Sequence, residues 1–248
     1  MTIDVATGIA RIIKQEGVEW VSTFPVCRVN NALGREGVPF VMMRDDRYAV
    51  ALADAFSRLN AGSKIGVCTF QGGVNAAGLQ VAYAGMAQAY EDGSPLLCMT
   101  YGVPIGATEN SQFDVTASLK SVSKWYGYLD KPERLPEFMR RAFTMLRSGS
   151  PGPVVLAIPD PDGQYDEMAD PYYPVQGWKS APNPDDVGSA VDLLLKAHAP
   201  LIYAGEGVIY AGASAELKEF AELANTPVVT TLKAVSYTHL TLPTILLV

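Results

Sequence analysis

Lys64-Ile65-Gly66-Val67-Cys68-Thr69-Phe70-Gln71-Gly72-Gly73 is the stretch on which the reading of this chain turns. Lys64 to Phe70 predicts a strand, Gln71-Gly72-Gly73 a turn, and the residues from about Val74 to Glu91 a helix. Glycines in a strand-to-helix turn let the backbone approach a flat ring closely, and they equally suit any tight βα turn.

The same step repeats on both sides. Upstream, Val5, Ile9, Ile12 and Ile13 share one helix face between Asp4 and Gln15, and Glu16-Gly17 closes that helix. Val18 to Phe24 predicts a short strand ending in Pro25. Val38 to Met43, apolar without polar alternation, predicts a strand buried on both faces. Asp45 or Asp46 can cap a helix from Tyr48 to Leu59. Downstream, Pro95 to Tyr101 and Pro153 to Ile158 predict strands, with an amphipathic helix over Pro132 to Ser148 between them. Strands separated by helices of this length imply an α/β fold: a parallel sheet with helices on both faces.

Domain organisation follows from composition. Residues 1–160 form one domain. Residues 161–184, with Pro161, Pro171, Pro174, Pro182 and Pro184 and no periodicity, read as a linker. A second α/β unit, truncated, begins at Asp185 and runs to Ala234; its Gly205-Glu206-Gly207 turn lacks the third glycine of a dinucleotide fingerprint. Residues 235–248 contain V-S-Y-T-H-L-T-L-P-T, which resembles one reading frame of a sequencing-library transposon adapter. The expectation is a non-native tail, a non-native His239 and a longer natural chain; a genuine Thr/Leu-rich strand is the alternative.

The 248 residues are 48% hydrophobic and 18% charged, with a formal net charge of −7, so the chain is globular rather than disordered. The acidic balance argues against nucleic-acid or anionic-membrane partners, which need clustered Lys and Arg. No apolar run of about 20 residues is present. The start, Met1-Thr2-Ile3-Asp4, is neither basic nor apolar, and Cys27, Cys68 and Cys98 form no CxxC pair. A soluble, cytoplasmic protein is expected.

Several short blocks then fall in a familiar order: Gly17-Val18-Glu19, Phe24-Pro25, Arg44-Asp45-Asp46, Leu52 to Arg58, Thr69 to Gly73, Asp92-Gly93-Ser94-Pro95, Gln112-Phe113, Ser123-Lys124-Trp125 and Ser148 to Val154. Together they resemble the N-terminal pyrimidine-binding domain of thiamine-diphosphate enzymes, most closely acetolactate synthase large subunits and their decarboxylase relatives. Asp185 to Ala234 resembles the start of that family's central domain. The resemblance implies thiamine diphosphate as cofactor, with Mg²⁺ and the diphosphate held by a C-terminal domain absent from this chain. It leaves a central-domain FAD open. The implied substrate is pyruvate or another 2-keto acid, the implied assembly a homodimer or homotetramer, and the implied reaction a carboligation. A 2-keto acid decarboxylase, an acyltransferase, and a non-catalytic binding paralogue are the alternatives. By the same resemblance the chain alone is expected to be inactive.

The resemblance also assigns roles. Asp46 matches the carboxylate that hydrogen-bonds the cofactor's pyrimidine ring and promotes its imino form. It is an aspartate in Arg44-Asp45-Asp46, where the family has Arg-His-Glu, one methylene longer. A helix cap flanked by arginines is the other reading of Asp45 and Asp46. Pro25, Gly72, Gly73 and Asn75 match cofactor-binding positions, although Pro25-Val26-Cys27 replaces Pro-Gly-Gly and Gly72 stands where a proline is usual. Gln112 and Phe113 match residues that face substrate and cofactor. Cys27 reads as a small buried residue. No residue of this chain is assigned to metal.

Overall fold

The structure is a computed structural model that describes residues 1–25, 27–73, 76–104, 106–107 and 113–234. They form two compact units, Met1–Trp178 and one beginning at Lys179.

In the first unit the elements in chain order are β1 (Thr2–Asp4), α1 (Val5–Gln15), β2 (Val21–Thr23), α2 (Val29–Arg35), β3 (Phe40–Met42), α3 (Asp46–Leu59), β4 (Gly66–Phe70), α4 (Ala77–Glu91), β5 (Leu96–Thr100), α5 (Val115–Ser121), β6 (Trp125–Tyr128), α6 (Leu135–Arg147), β7 (Val154–Ala157) and β8 (Gln164–Asp166). Six strands make one sheet in the order β3-β2-β4-β5-β7-β6, every pair parallel. The order reverses at β2, which has β3 on one side and β4 on the other. In an open parallel sheet the carboxyl ends of strands at such a reversal frame a crevice.

Both faces are covered. Val5, Ile9 and Ile13 of α1, Leu33 of α2 and Phe143 of α6 pack on Val21, Val67, Leu97 and Val154. On the other face Val50 and Ala53 of α3, Leu79 and Met86 of α4 and Leu119 of α5 pack on Cys68, Phe70, Cys98 and Val155. Burying each large aliphatic side chain contributes about 1.5–3 kcal/mol. α1 starts where the Asp4 side chain accepts from Thr7 N at 2.6 Å, and Gly17 follows it with φ +76°.

Two expectations are corrected. The run Val38 to Met43 yields β3, which is an edge strand rather than a strand buried on both faces: Phe40, Val41 and Met42 are 38%, 45% and 54% exposed. Apolar composition alone does not say how many neighbours a strand has. The expected linker 161–184 is in large part folded into the first unit. Gln164–Asp166 pairs antiparallel with Thr2–Asp4, and Tyr165 is buried in the core beneath α1. Its prolines end regular structure without keeping the chain off the core. Farther along, Glu16 accepts from Val175 N at 3.0 Å, and its carboxylate also accepts from Tyr172 OH and Arg147 Nη1. A short carboxyl clasp thus replaces secondary structure.

The second unit contains α7 (Pro184–Lys196), β9 (Ile202–Ala204), α8 (Gly207–Ala211), α9 (Ser214–Leu223) and β10 (Val228–Thr230), with β9 and β10 parallel. α7, α8 and α9 have no buried side chain; Leu193, Leu195 and Leu223 are among the exposed apolar groups of this unit. Residues 235–248, the expected tail, lie outside the described residues. Among the described residues no helix is long and apolar enough to cross a membrane.

Candidate active site

The carboxyl ends of β2, β3, β4 and β5 bring four segments together. α3 decides where the acid goes. Asp45 is its N-cap, its side chain accepting from Arg47 N at 2.8 Å. Asp46, one residue later, is therefore free of capping duty. Its Oδ1 reaches across to accept from Gln71 N at 2.7 Å, in the turn after β4. The capping reading falls to Asp45, and the Asp46 carboxylate bonds the turn after β4 instead.

The far end of α3 is held as firmly. Ser57 Oγ donates to the Pro95 carbonyl at 2.6 Å and accepts from Gly66 N at 2.7 Å. Arg58 Nε bonds both Asp54 oxygens at 3.1 Å while Nη1 reaches Asp92 at 2.6 Å. Gly78 lets α4 approach, since a Cβ there would lie 2.5 Å from Gln71 Cβ and 2.7 Å from Asp46 Oδ1. Asp46 is thus 5% exposed. Burial pushes the pKa of its carboxyl up from the ordinary aspartate value, aided by the neighbouring Asp45 charge and opposed by the Gln71 amide.

Gly72 and Gly73 lie in this turn for separate reasons. A Cβ on Gly72 would overlap Thr100 Oγ1 and sit 2.6 Å from the Tyr101 carbonyl oxygen. Close packing of the turn on the end of β5 therefore requires that glycine, independently of any ligand. Gly73 has φ +81° and donates its N–H to the Tyr101 carbonyl at 3.1 Å. Pro25 is exposed at the end of β2, next to Phe24, whose N–H donates to the Thr69 carbonyl at 3.2 Å. Below it Asn30 Nδ2 donates to the Phe24 carbonyl at 2.6 Å, and Thr69 Oγ1 donates to Asn30 Oδ1 at 2.8 Å. Asn30 gives no sequence signal, sitting in an unremarkable Val-Asn-Asn-Ala run.

Cys27 is buried beside Thr69, and burial pushes its thiol up to about 11, so it is a packing residue at neutral pH. Tyr101 was also missed. Its hydroxyl accepts from Arg28 N, and burial pushes its pKa up to about 12, so the phenol stays protonated. Phe113 is half-buried, edge-on to Tyr83 of α4 at 6.4 Å. Asn75 and Gln112 lie outside the described residues. Among the described residues no group of three or more His, Cys, Asp or Glu is placed to hold a metal ion.

Comparison with known proteins identifies the family. The model of the thiamine pyrophosphate enzyme N-terminal TPP binding domain matches residues 3–121, and that of the central domain of the same enzymes matches residues 187–245. The chain belongs to the thiamine pyrophosphate enzyme family. It is similar to the probable acetolactate synthase large subunit of Methanocaldococcus jannaschii, 32% identical over 92% of this chain and 40% of the relative. It is similar also to the glyoxylate carboligase of Escherichia coli O157:H7, 33% identical over 89% of this chain and 38% of the relative. An acetolactate synthase of Arthrospira platensis is 33% identical over 77% of this chain and 34% of that protein. The chain spans about 40% of the length of the curated relatives it matches first.

Proposed function

We propose that this chain supplies the pyrimidine-contacting part of a thiamine-diphosphate enzyme that joins small 2-keto acids, acetolactate synthase-like in its chemistry. The observation that carries this reading is Asp46: a carboxyl at the sheet's reversal point, nearly buried, with one oxygen fixed by Gln71 N–H. Such a group fits a planar heterocycle that offers a ring nitrogen, and the Gly72-Gly73 turn beside it presents no side chain to obstruct a flat ring. Pyruvate is the first substrate to test. Glyoxylate is the second, on the similarity to a glyoxylate carboligase.

The residues here would do three things. Asp46 holds a proton at its carboxyl toward the ring nitrogen, and burial favours the protonated form that this sharing needs. The Gln71 amide fixes the plane of that carboxyl, offsetting the shorter reach of aspartate with a rigid aim. Pro25, exposed at the end of β2, and Phe113, packed edge-on to Tyr83, would be the further residues that face the cofactor and the substrate. When bound, thiamine diphosphate supplies the carbon nucleophile and the electron sink for the keto acid. Its diphosphate and Mg²⁺ would be held by another domain of the complete enzyme, in a dimer or tetramer.

The test uses the chain as it is. In ¹⁵N-labelled protein, 4-amino-2-methylpyrimidine should shift the Gln71 and Gly72 amides. Asp46→Glu should keep the effect and Asp46→Ala should abolish it. Equal shifts in the wild type and Asp46→Ala would overturn the assignment.

A further inference from the structure

Cys68 in β4 and Cys98 in β5 are direct partners in the parallel register, and their Sγ atoms lie 3.5 Å apart. Both side chains are fully buried on the sheet face beneath α3 and α4. The row continues through Ser22 on one side and Val155 on the other. Adjacent strands lie about 4.8 Å apart, within the roughly 4.4–6.8 Å Cα separation that a disulfide spans. Closing the sulfurs to a bonded distance of about 2.05 Å requires a movement that χ1 rotation supplies.

We propose that Cys68 and Cys98 form an oxidisable dithiol that closes to a cross-strand disulfide with hydrogen peroxide and reopens with a thiol reductant. The step balances. The Cys68 sulfur, as thiolate, attacks a peroxide oxygen and becomes a sulfenic acid as the O–O bond breaks and water leaves. The Cys98 sulfur then attacks the Cys68 sulfur, the S–S bond forms, and the sulfenic hydroxyl departs as a second water. Two thiols lose two electrons and two protons; one peroxide gains them.

The fold sets the rate of this chemistry. Burial, the adjoining Cys98, and the Asp54 and Asp46 carboxylates of α3 hold the Cys68 thiol well above its usual range, so thiolate is scarce in the closed sheet. Oxidation therefore proceeds through molecules in which the sheet has opened locally to admit peroxide. Once formed, the bond ties together the two strands that carry the site. β4 leads from Cys68 to Gln71, and the end of β5 leads to Tyr101, which receives the Gly73 amide. Cys27 is the internal control, since it lies in the core cluster on the other face.

The experiment is thiol counting by intact mass. The chain has three cysteines. After hydrogen peroxide, unfolding in iodoacetamide should leave one alkylated thiol, three less the joined pair, on a protein that stays monomeric on a non-reducing gel. Dithiothreitol should restore all three. Residues 65–119 contain no Lys or Arg, so trypsin leaves both cysteines on one peptide; cleavage after Glu91 should instead give two peptides linked through Cys68 and Cys98. Cys27→Ala should show two alkylated thiols before oxidation and none after. Survival of both thiols in Cys27→Ala, a disulfide between chains, or over-oxidised Cys68 beside an alkylated Cys98 would each overturn the proposal.

Discussion

Asp46 Oδ1 accepts the Gln71 amide at 2.7 Å, so the first turn of α3 and the turn after β4 are one hydrogen-bonded structure. Asp46→Ala leaves the Gln71 N–H without that acceptor and should cost about 1–3 kcal/mol, read as a lower urea midpoint. In an assembled, turning-over enzyme the same substitution should lower kcat by about 10²–10⁴-fold, with a smaller change in thiamine diphosphate affinity.

The pH dependence has a definite sign. Burial raises the folded-state pKa of Asp46 above its unfolded value, so the folded protein binds that proton more tightly. The corresponding stability is fully present below the unfolded pKa of about 3.9 and is lost as pH rises through the folded value. Asp46→Asn keeps an acceptor oxygen and removes the charge. It should therefore gain stability relative to wild type between pH 4 and pH 7, and urea titrations at the two pH values measure the difference. A constant difference would contradict the burial argument.

Two glycines should respond oppositely to alanine. A Cβ on Gly66 would overlap the Ala53 carbonyl oxygen and lie 2.9 Å from Ser57 Oγ, whereas one on Gly188, inside α7, meets nothing within 4 Å. Gly66→Ala should cost about 1–3 kcal/mol or more from overpacking. Gly188→Ala should raise the intrinsic helix propensity of α7 by up to about 1 kcal/mol. Denaturant midpoints for Gly66→Ala, and helicity by circular dichroism for Gly188→Ala, separate the cases.

The Glu16 side chain is fully buried and is held by Arg147, Tyr172 and Val175 N. Arg147→Ala strands that carboxylate and should destabilise the first unit by about 3–5 kcal/mol. Tyr172→Phe removes one of several donors and should cost about 1 kcal/mol. Limited proteolysis offers a second readout: cleavage within residues 167–178 should accelerate in Arg147→Ala far more than in Tyr172→Phe.

Hydrogen exchange should divide the chain. β4 and β5 are buried along their whole length, whereas α7 and α9 bury no side chain. Amides in 66–70 and 96–100 should exchange at the slowest rates, and those in 184–223 much faster. Comparable protection in both would show that the second unit is stabilised by contacts other than its own.

Much of this arrangement was legible in the residues. α1 followed from the spacing of Val5, Ile9, Ile12 and Ile13, all of which are buried. Asp46 was singled out by the resemblance of Arg44-Asp45-Asp46 to a family block, while its place before a helix suggested only a cap, a role that Asp45 takes. What the spacing could not supply was its partner, because the Gln71 amide is a backbone group and any residue provides one. α2, with its Asn30-Asn31 pair, spans seven residues, and its helix signal was too short to read. β6, Trp125-Tyr126-Gly127-Tyr128, lacked alternation because it is only partly buried at the sheet's other edge. Apolar residues in Val38 to Met43 signalled a strand but not its position. Tyr165 was lost among prolines, since one buried side chain in a polar run leaves no period.

The strand order carries a consequence for synthesis. β7 lies between β5 and β6 although it follows both in the chain, so β6 has no place in the sheet until residues 154–157 have been made. Until then β5 presents the open edge of Leu96 to Thr100, an apolar row whose neighbour is still to come. A ribosome that pauses between residues 100 and 157 would leave a sticky, half-built sheet in need of a chaperone.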